Sequence, residues 1–327
     1  MTTGRPPRVA IVGPRRVRTG LGPFLAKHLV AHGAEVPAFI ASRKETIEDG
    51  RWALRNAGVD AQGFTDLDAL LEAHPTVDGL AIASPHATHR RWLDAALDRG
   101  LHVLCEKPLV WGDASSARET ALVVERAVYE KLVLFENCPW PCVLPAFDAL
   151  HPAARREPVR TFEMELAPSS SAPRDMLADS MSHPLSVLQA VAAGEPRSAG
   201  DPPLSNRRWD AAEDGRVELS FTFRRADATE PVAVRVRLTT VPRQPRPAAL
   251  VVNGFRADRV LRMEDYSMSL AGGGREVELG DPMAALAGEF VRAVRHGEPA
   301  GASRRRANVI AERAALFDLI VGSFPGA

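Results

Sequence analysis

Two short stretches of the 327-residue chain bring together residue types that can move protons. In the first, Leu101-His102-Val103-Leu104-Cys105-Glu106-Lys107-Pro108-Leu109, an apolar run ends on an acid, an amine and a proline. A buried strand that stops on Glu106-Lys107 sets both charges at the carboxyl edge of a sheet, where open α/β sheets keep their ligands. Pro108 adds a sharp turn that fixes where Lys107 points, whichever isomer its peptide bond takes. Read as surface features, the same residues are solvated loop charges and a strand terminator. In the second stretch, Asp179-Ser180-Met181-Ser182-His183 pairs a carboxylate with an imidazole, whose unperturbed pKa of about 6.5 suits a proton shuttle. A separation of four residues puts both side chains on one face if the segment is helical. Pro184 requires that helix either to start near Ser182 or to bend there. Taken alone, the pair also reads as a capping aspartate and a structural histidine.

The elements that must position these residues follow from hydrophobic periodicity. Arg8 to Gly13, Val36 to Ala41, Ala61 to Phe64, Val77 to Ala83, His102 to Cys105 and Lys131 to Asn137 read as short buried strands. Helical patterns alternate with them: Phe24 to His32, Thr46 to Ala57, Asp66 to Ala73, His89 to Arg99 and Ala114 to Glu130. That rhythm means a doubly wound parallel sheet. After Asn137 the texture changes. Prolines punctuate a crossover, and Val159 to Leu166, Val217 to Phe223 and Val232 to Val241 alternate apolar and polar residues, the mark of antiparallel strands with one wet face. The expected fold class is therefore α/β, with residues 1–137 an N-terminal Rossmann domain and residues 138–327 an α+β domain carrying a mostly antiparallel open sheet. Two C-terminal helices, Met283 to His296 and Arg305 to Val321, are expected to brace the junction.

Composition narrows the function classes. Lys plus Arg and Asp plus Glu both number 41, so no net field draws the chain to nucleic acid or anionic lipid. Cys105, Cys138 and Cys142 are too few for a disulfide framework, which favours a reducing compartment, and Cys138 and Cys142 read as small buried thiols rather than metal ligands. The polar N-terminus lacks the apolar core of a signal peptide, and no apolar run approaches membrane-spanning length. The expectation is a cytoplasmic protein with a small-molecule substrate, no metal, and neither nucleic-acid nor membrane partners. The wet sheet face is the surface expected to form a homo-oligomer.

Taken together, the motifs resemble the Gfo/Idh/MocA oxidoreductases, the family of glucose-fructose oxidoreductase and inositol dehydrogenase. Ser84-Pro85-x-x-x-His89 resembles that family's turn after the fourth strand, and Gly100 to Pro108 its best-known signature. Asp179 to His183 is similar to its second-domain catalytic motif, and Gly194-Glu195-Pro196 to the helix exit that follows. Where the family often carries an aspartate three residues after the histidine, this chain has Ser186. The resemblance implies hydride transfer between a nicotinamide and a carbinol or carbonyl carbon of a sugar or cyclitol. It assigns His183 as the base, Lys107 as the group polarising the same oxygen, and Asp179 as the orienting acid, with Glu106, Ser84, Pro85 and His89 beside the cofactor. Redox-assisted elimination with a recycled NAD, or a non-catalytic sensor of the same fold, are the alternatives.

The phosphate loop departs from the family. In place of Gly-x-Gly-x-x-Gly the chain has Gly13-Pro14-Arg15-Arg16-Val17-Arg18-Thr19-Gly20-Leu21-Gly22-Pro23. Either Arg15, Arg16 or Arg18 replaces backbone donors with guanidinium forks, or the site has decayed; survival of the Lys107, Asp179 and His183 constellation favours the first. At the end of the second strand, Ser42-Arg43-Lys44 stands where NAD users commonly carry an acid, a hydroxyl and two cations suited to a 2′-phosphate. NADP is thus preferred over NAD.

Overall fold

The computed structural model describes residues 4–15, 20–112, 116–196, 204–225, 227–264 and 267–325. It divides into two compact units, the first formed by residues 1–137 with 283–310 and the second by 138–282 with 311–327.

The first unit alternates strand and helix: β1 (Val9–Val12), α1 (Gly22–Ala31), β2 (Ala38–Ile40), α2 (Ile47–Asn56), β3 (Gln62–Phe64), α3 (Leu67–Ala73), β4 (Gly79–Ile82), α4 (His89–Leu97), β5 (His102–Glu106), α5 (Ser116–Tyr129) and β6 (Leu134–Asn137). The strands form one parallel sheet in the order β3-β2-β1-β4-β5-β6, so the chain reverses direction across the sheet between β1 and β4. Carboxyl ends flanking such a reversal form the crevice where ligands enter doubly wound sheets. β1 and β4 are buried along their whole length, as continuous apolar runs in parallel sheets should be. Of the two caps the sequence offers, Thr65 and Asp66, Asp66 starts α3 by accepting a hydrogen bond from the Ala69 amide (2.9 Å).

The second unit begins with a 3-10 turn at Trp140–Val143 and α6 (Leu144–Leu150), followed by β7 (Thr161–Leu166), α7 (Pro173–Ser180) and α8 (Ser182–Val191). Seven strands come next: β8 (Leu204–Glu213), β9 (Arg216–Phe223), β10 (Val232–Thr239), β11 (Ala248–Val252), β12 (Phe255–Leu261), β13 (Met268–Gly272) and β14 (Arg275–Leu279). Their sheet order is β14-β13-β12-β11-β7-β10-β9-β8, antiparallel throughout except for the β7–β10 pair. Burial alternates strictly along β9 and nearly so along β10, so one face is packed and the other wet. On the wet face Arg237 lies 3.2 Å from Glu163, 2.7 Å from Glu165 and 3.2 Å from Glu218. Arg256 also holds Glu165, whose carboxyl the two cations keep below the usual range.

The chain then forms α9 (Pro282–His296) and α10 (Ala302–Val321). α9 packs into the core of the first unit, with Phe290 fully buried and its ring edge-on to Phe135 at 5.8 Å between centroids. Residues 283–310 therefore join residues 1–137, and the boundary of the compact units departs from a single cut at Asn137 because this apolar helix face covers the parallel sheet.

Candidate functional site

In the first unit the carboxyl ends of β1 and β4 meet in a turn that leaves no room for a side chain at Gly13. Gly13 sits at φ 84°, a conformation costly for any other residue, and a Cβ there would lie 2.8 Å from the Ala83 carbonyl and the Ser84 backbone. Gly22, the first residue of α1, is pressed against the same turn: its Cβ would meet the Gly13 oxygen at 2.2 Å. Sequence reasoning passed over Gly22 because the fingerprint specifies spacing, whereas the structure brings the glycine back by lengthening the loop. Leu21 offers α1 no side-chain cap, and the helix has no acid in its first turn. A helix start with no side-chain cap, beside a glycine turn, is the arrangement that receives a pyrophosphate, and these residues fit a dinucleotide.

The predicted phosphate ligands divide. Arg15 is half-buried and paired with Asp49 of α2 at 3.2 Å, so its charge is already partly answered within the protein. Arg16, with Arg18, lies outside the described residues. Ser42, Arg43 and Lys44 are all exposed just past β2, with Arg43 opening a short 3-10 turn whose Thr46 amide and hydroxyl donate to its carbonyl.

Ser84, Pro85 and His89 shape the turn after β4. The Ser84 and Thr88 hydroxyls are 2.7 Å apart, and buried His89 sets Nδ1 2.9 Å from the Pro108 oxygen and Nε2 2.8 Å from the Ser84 oxygen. One imidazole thus ties the turn after β4 to the turn after β5. Burial pushes its pKa below the ordinary histidine value, against the pull of the two carbonyls. The Lys107–Pro108 peptide is cis. Glu106 accepts a hydrogen bond from the Asn137 amide, and the neighbouring Glu136 accepts one from the Leu109 amide at 3.1 Å. Burial lifts the Glu106 carboxyl above its usual range, opposed by Lys107 and Asn137. Asn137 and Glu136, at the end of β6, were not singled out in the sequence; the register that aligns Glu106 with Asn137 reveals them.

In the second unit, α7 ends at Ser180 and α8 begins at Ser182, so Asp179 and His183 stand on successive helices, with Pro184 in the first turn of the second. Of the two alternatives, the helix starts at Ser182. Asp179 is exposed and His183 half-buried. Trp140, itself buried, lies with its ring 6.5 Å from the His183 ring, and the Ser186 hydroxyl donates to the His183 carbonyl at 2.7 Å. Arg174 and Asp175 are exposed. Cys105 and Cys138 are buried and outside any disulfide; Cys142 is half-buried rather than buried, in a 3-10 turn that buries Trp140 and Val143 instead.

Residues 8–137 match the family described as the GFO_IDH_MocA oxidoreductases, NAD-binding Rossmann fold. The chain is 42% identical over 92 residues to D-xylose 1-dehydrogenase (NADP(+)) 2 of Haloferax volcanii, an alignment covering 27% of this chain and 25% of that protein. It is 38% identical over 104 residues to inositol 2-dehydrogenase of Streptomyces avermitilis, covering 30% and 29%. These alignments thus span between a quarter and a third of the curated relatives' length. Across nearly the whole chain the fold is that of UDP-N-acetylglucosamine 3-dehydrogenase GnnA from Acidithiobacillus ferrooxidans, with a TM-score of 0.67, 21% identity, and coverage of 96% of this chain and 95% of that one. Over residues 8–137, the part that the family model matches, this chain resembles the Gfo/Idh/MocA oxidoreductases.

Proposed function

We propose that the chain is an NAD(P)-dependent oxidoreductase acting on a hydroxyl or keto carbon of a small polar molecule of the sugar or cyclitol class. The observation that carries this reading is the close packing of Gly13 on the Ser84 backbone and of Gly22 on Gly13 at the reversal point of the parallel sheet. A cofactor-less sensor has no need to keep two glycines where any Cβ would collide with backbone.

Gly13, the start of α1, Ser84 and the Lys107–Pro108 turn hold the dinucleotide, and His89 keeps the last two in register. Exposed Ser42, Arg43 and Lys44 receive a 2′-phosphate, which makes NADPH the better ligand. When bound, the nicotinamide supplies the hydride acceptor or donor. The chain's own residues manage the proton: a hydride leaves an alcohol readily only while its hydroxyl proton is withdrawn, so a base is required. His183 takes that proton, Lys107 donates a hydrogen bond to the substrate oxygen, and Asp179 orients the group. Oligomer formation is assigned to the wet face of the eight-stranded sheet, and analytical ultracentrifugation of an Arg237→Glu variant tests it. For the reaction itself, Lys107→Ala and His183→Ala should each lower kcat/KM by about 10²–10⁴, with His183→Ala leaving NADPH affinity unchanged. Full activity in both variants removes the assignment.

A further inference from the structure

Arg259 is an unexpected residue for its position. Side chains along a strand point to opposite faces in turn, and in β12 fully buried Ala257 marks the face that is packed rather than wet. Arg259 follows two residues later on that same face, opposite Leu270, which is 1% exposed. Its guanidinium carbon lies 5.6 Å from the centre of the Trp140 ring, within cation–π range, and Trp140 is the ring that neighbours His183. Its polar contacts do not include a carboxylate: Nη2 donates to the Arg246 carbonyl at 2.7 Å, and Nε is buried without a partner. Arg246, in the loop before β11, also buries its Nε without a partner; its Nη2 reaches the Pro242 carbonyl at 3.4 Å. Neither arginine forms an ion pair with a described residue, and burial together with the neighbouring Arg246 charge opposes the charge of Arg259.

Guanidinium does not shed its proton in a protein, so this cost cannot be avoided by neutralisation. A charge on the packed side of a sheet beside a like charge from the adjoining loop, each with a guanidinium donor unused, is best offset when an anion answers them. We infer that Arg246 and Arg259, with the Trp140 ring, form a subsite for an anionic group, a carboxylate or phosphoryl, carried by the substrate on which His183 acts. This deepens the proposed function and rests on it. The substrate class becomes a charged sugar derivative rather than a neutral one.

The test uses the full chain with inorganic phosphate, glucuronate and glucose as probes, followed by tryptophan fluorescence and isothermal titration at low ionic strength. Saturable binding of phosphate or glucuronate, with none of glucose, is expected, and the stronger of the two anions identifies the group. Arg246→Met and Arg259→Met should each weaken that binding at least about tenfold, a difference of about 1.4 kcal/mol, while NADPH affinity stays within about twofold because the dinucleotide is held elsewhere. Arg246→Met, on a loop, keeps the test open should Arg259→Met fold poorly. Equal anion affinity in wild type and variants overturns the inference, as does absence of saturable binding. Retained anion binding without any NADPH binding instead overturns the oxidoreductase reading on which it rests.

Discussion

The two units prepare for ligands by opposite means. The first removes side chains, so that at Gly13 and Gly22 backbone meets backbone and nothing else fits. The second adds them, setting the Arg259 guanidinium over the Trp140 ring with the Arg246 backbone bonded to it. A second buried arginine in the same unit shows what compensated charge looks like. Arg225, 5% exposed, bonds Glu312, 4% exposed, through both Nε (3.0 Å) and Nη2 (2.8 Å), and its remaining donors reach the carbonyls of Gln189, Ala192 and Gly194. Gln189 bonds Glu312 as well, and Arg313 bonds Gln189. Every strong donor there is answered by the protein, which is how a structural ion pair offsets its desolvation. Arg246 and Arg259 lack that answer, and the difference separates charge placed for stability from charge placed for binding.

That contrast predicts different responses to mutation. The largest belongs to Glu312→Ala, which strands the Arg225 charge and should cost about 3–5 kcal/mol in urea unfolding; a loss below about 1 kcal/mol would mean the pair is not the anchor described. Gly22→Ala comes next. Its methyl must displace the Gly13 carbonyl, with a cost of about 1–3 kcal/mol in stability and a parallel loss of NADPH affinity read by fluorescence titration. If NADPH binding survives intact, the turn is not the phosphate cradle. Arg43→Ala should weaken NADPH about tenfold, near 1.4 kcal/mol, and NADH hardly at all; equal losses would reassign the cation. Arg259→Met, in which an apolar chain replaces an unanswered charge, should change stability by less than about 1 kcal/mol or raise it. A loss as large as that of Glu312→Ala would make Arg259 structural and erase the contrast.

The smallest effect is a pH dependence at Glu106, whose folded pKa is raised above its unfolded value of 4.5. A raised carboxyl costs stability once it ionises, so its contribution is fully favourable below the unfolded value and is lost as pH rises through the folded one. The melting temperature of Glu106→Gln should therefore exceed that of wild type at neutral pH, and the gap should close as pH falls toward 4.5. A gap that widens on acidification contradicts the sign.

Much of the first unit could be read from sequence because local rules govern it. Continuous apolar runs gave β1, β4 and β5, and Thr65 or Asp66 marked the start of α3, which the structure caps with Asp66. The Glu106-Lys107-Pro108 turn followed from what a buried strand must do when it meets charges and a proline. Features set by long-range packing could not be read this way. Gly22 acts through a contact with Gly13 that sequence spacing conceals, and α9 joins the first unit through Phe290 meeting Phe135. In the second unit the alternation of β9 and β10 was plain, but the parallel β7–β10 pair is not encoded in any one strand. Arg259 carries no local signal at all: only the strand register shows that it shares a face with Ala257. The split of Asp179 and His183 between α7 and α8 was half visible, since Pro184 required a helix start or a bend and the pattern alone does not choose.

The most direct measurement is titration of the purified full chain with NADPH and with NADH while nicotinamide fluorescence is followed. A saturable rise with both, tighter for NADPH, is the result the Gly13–Gly22 turn and the Arg43 charge predict. No binding of either dinucleotide to the wild-type protein would contradict the account.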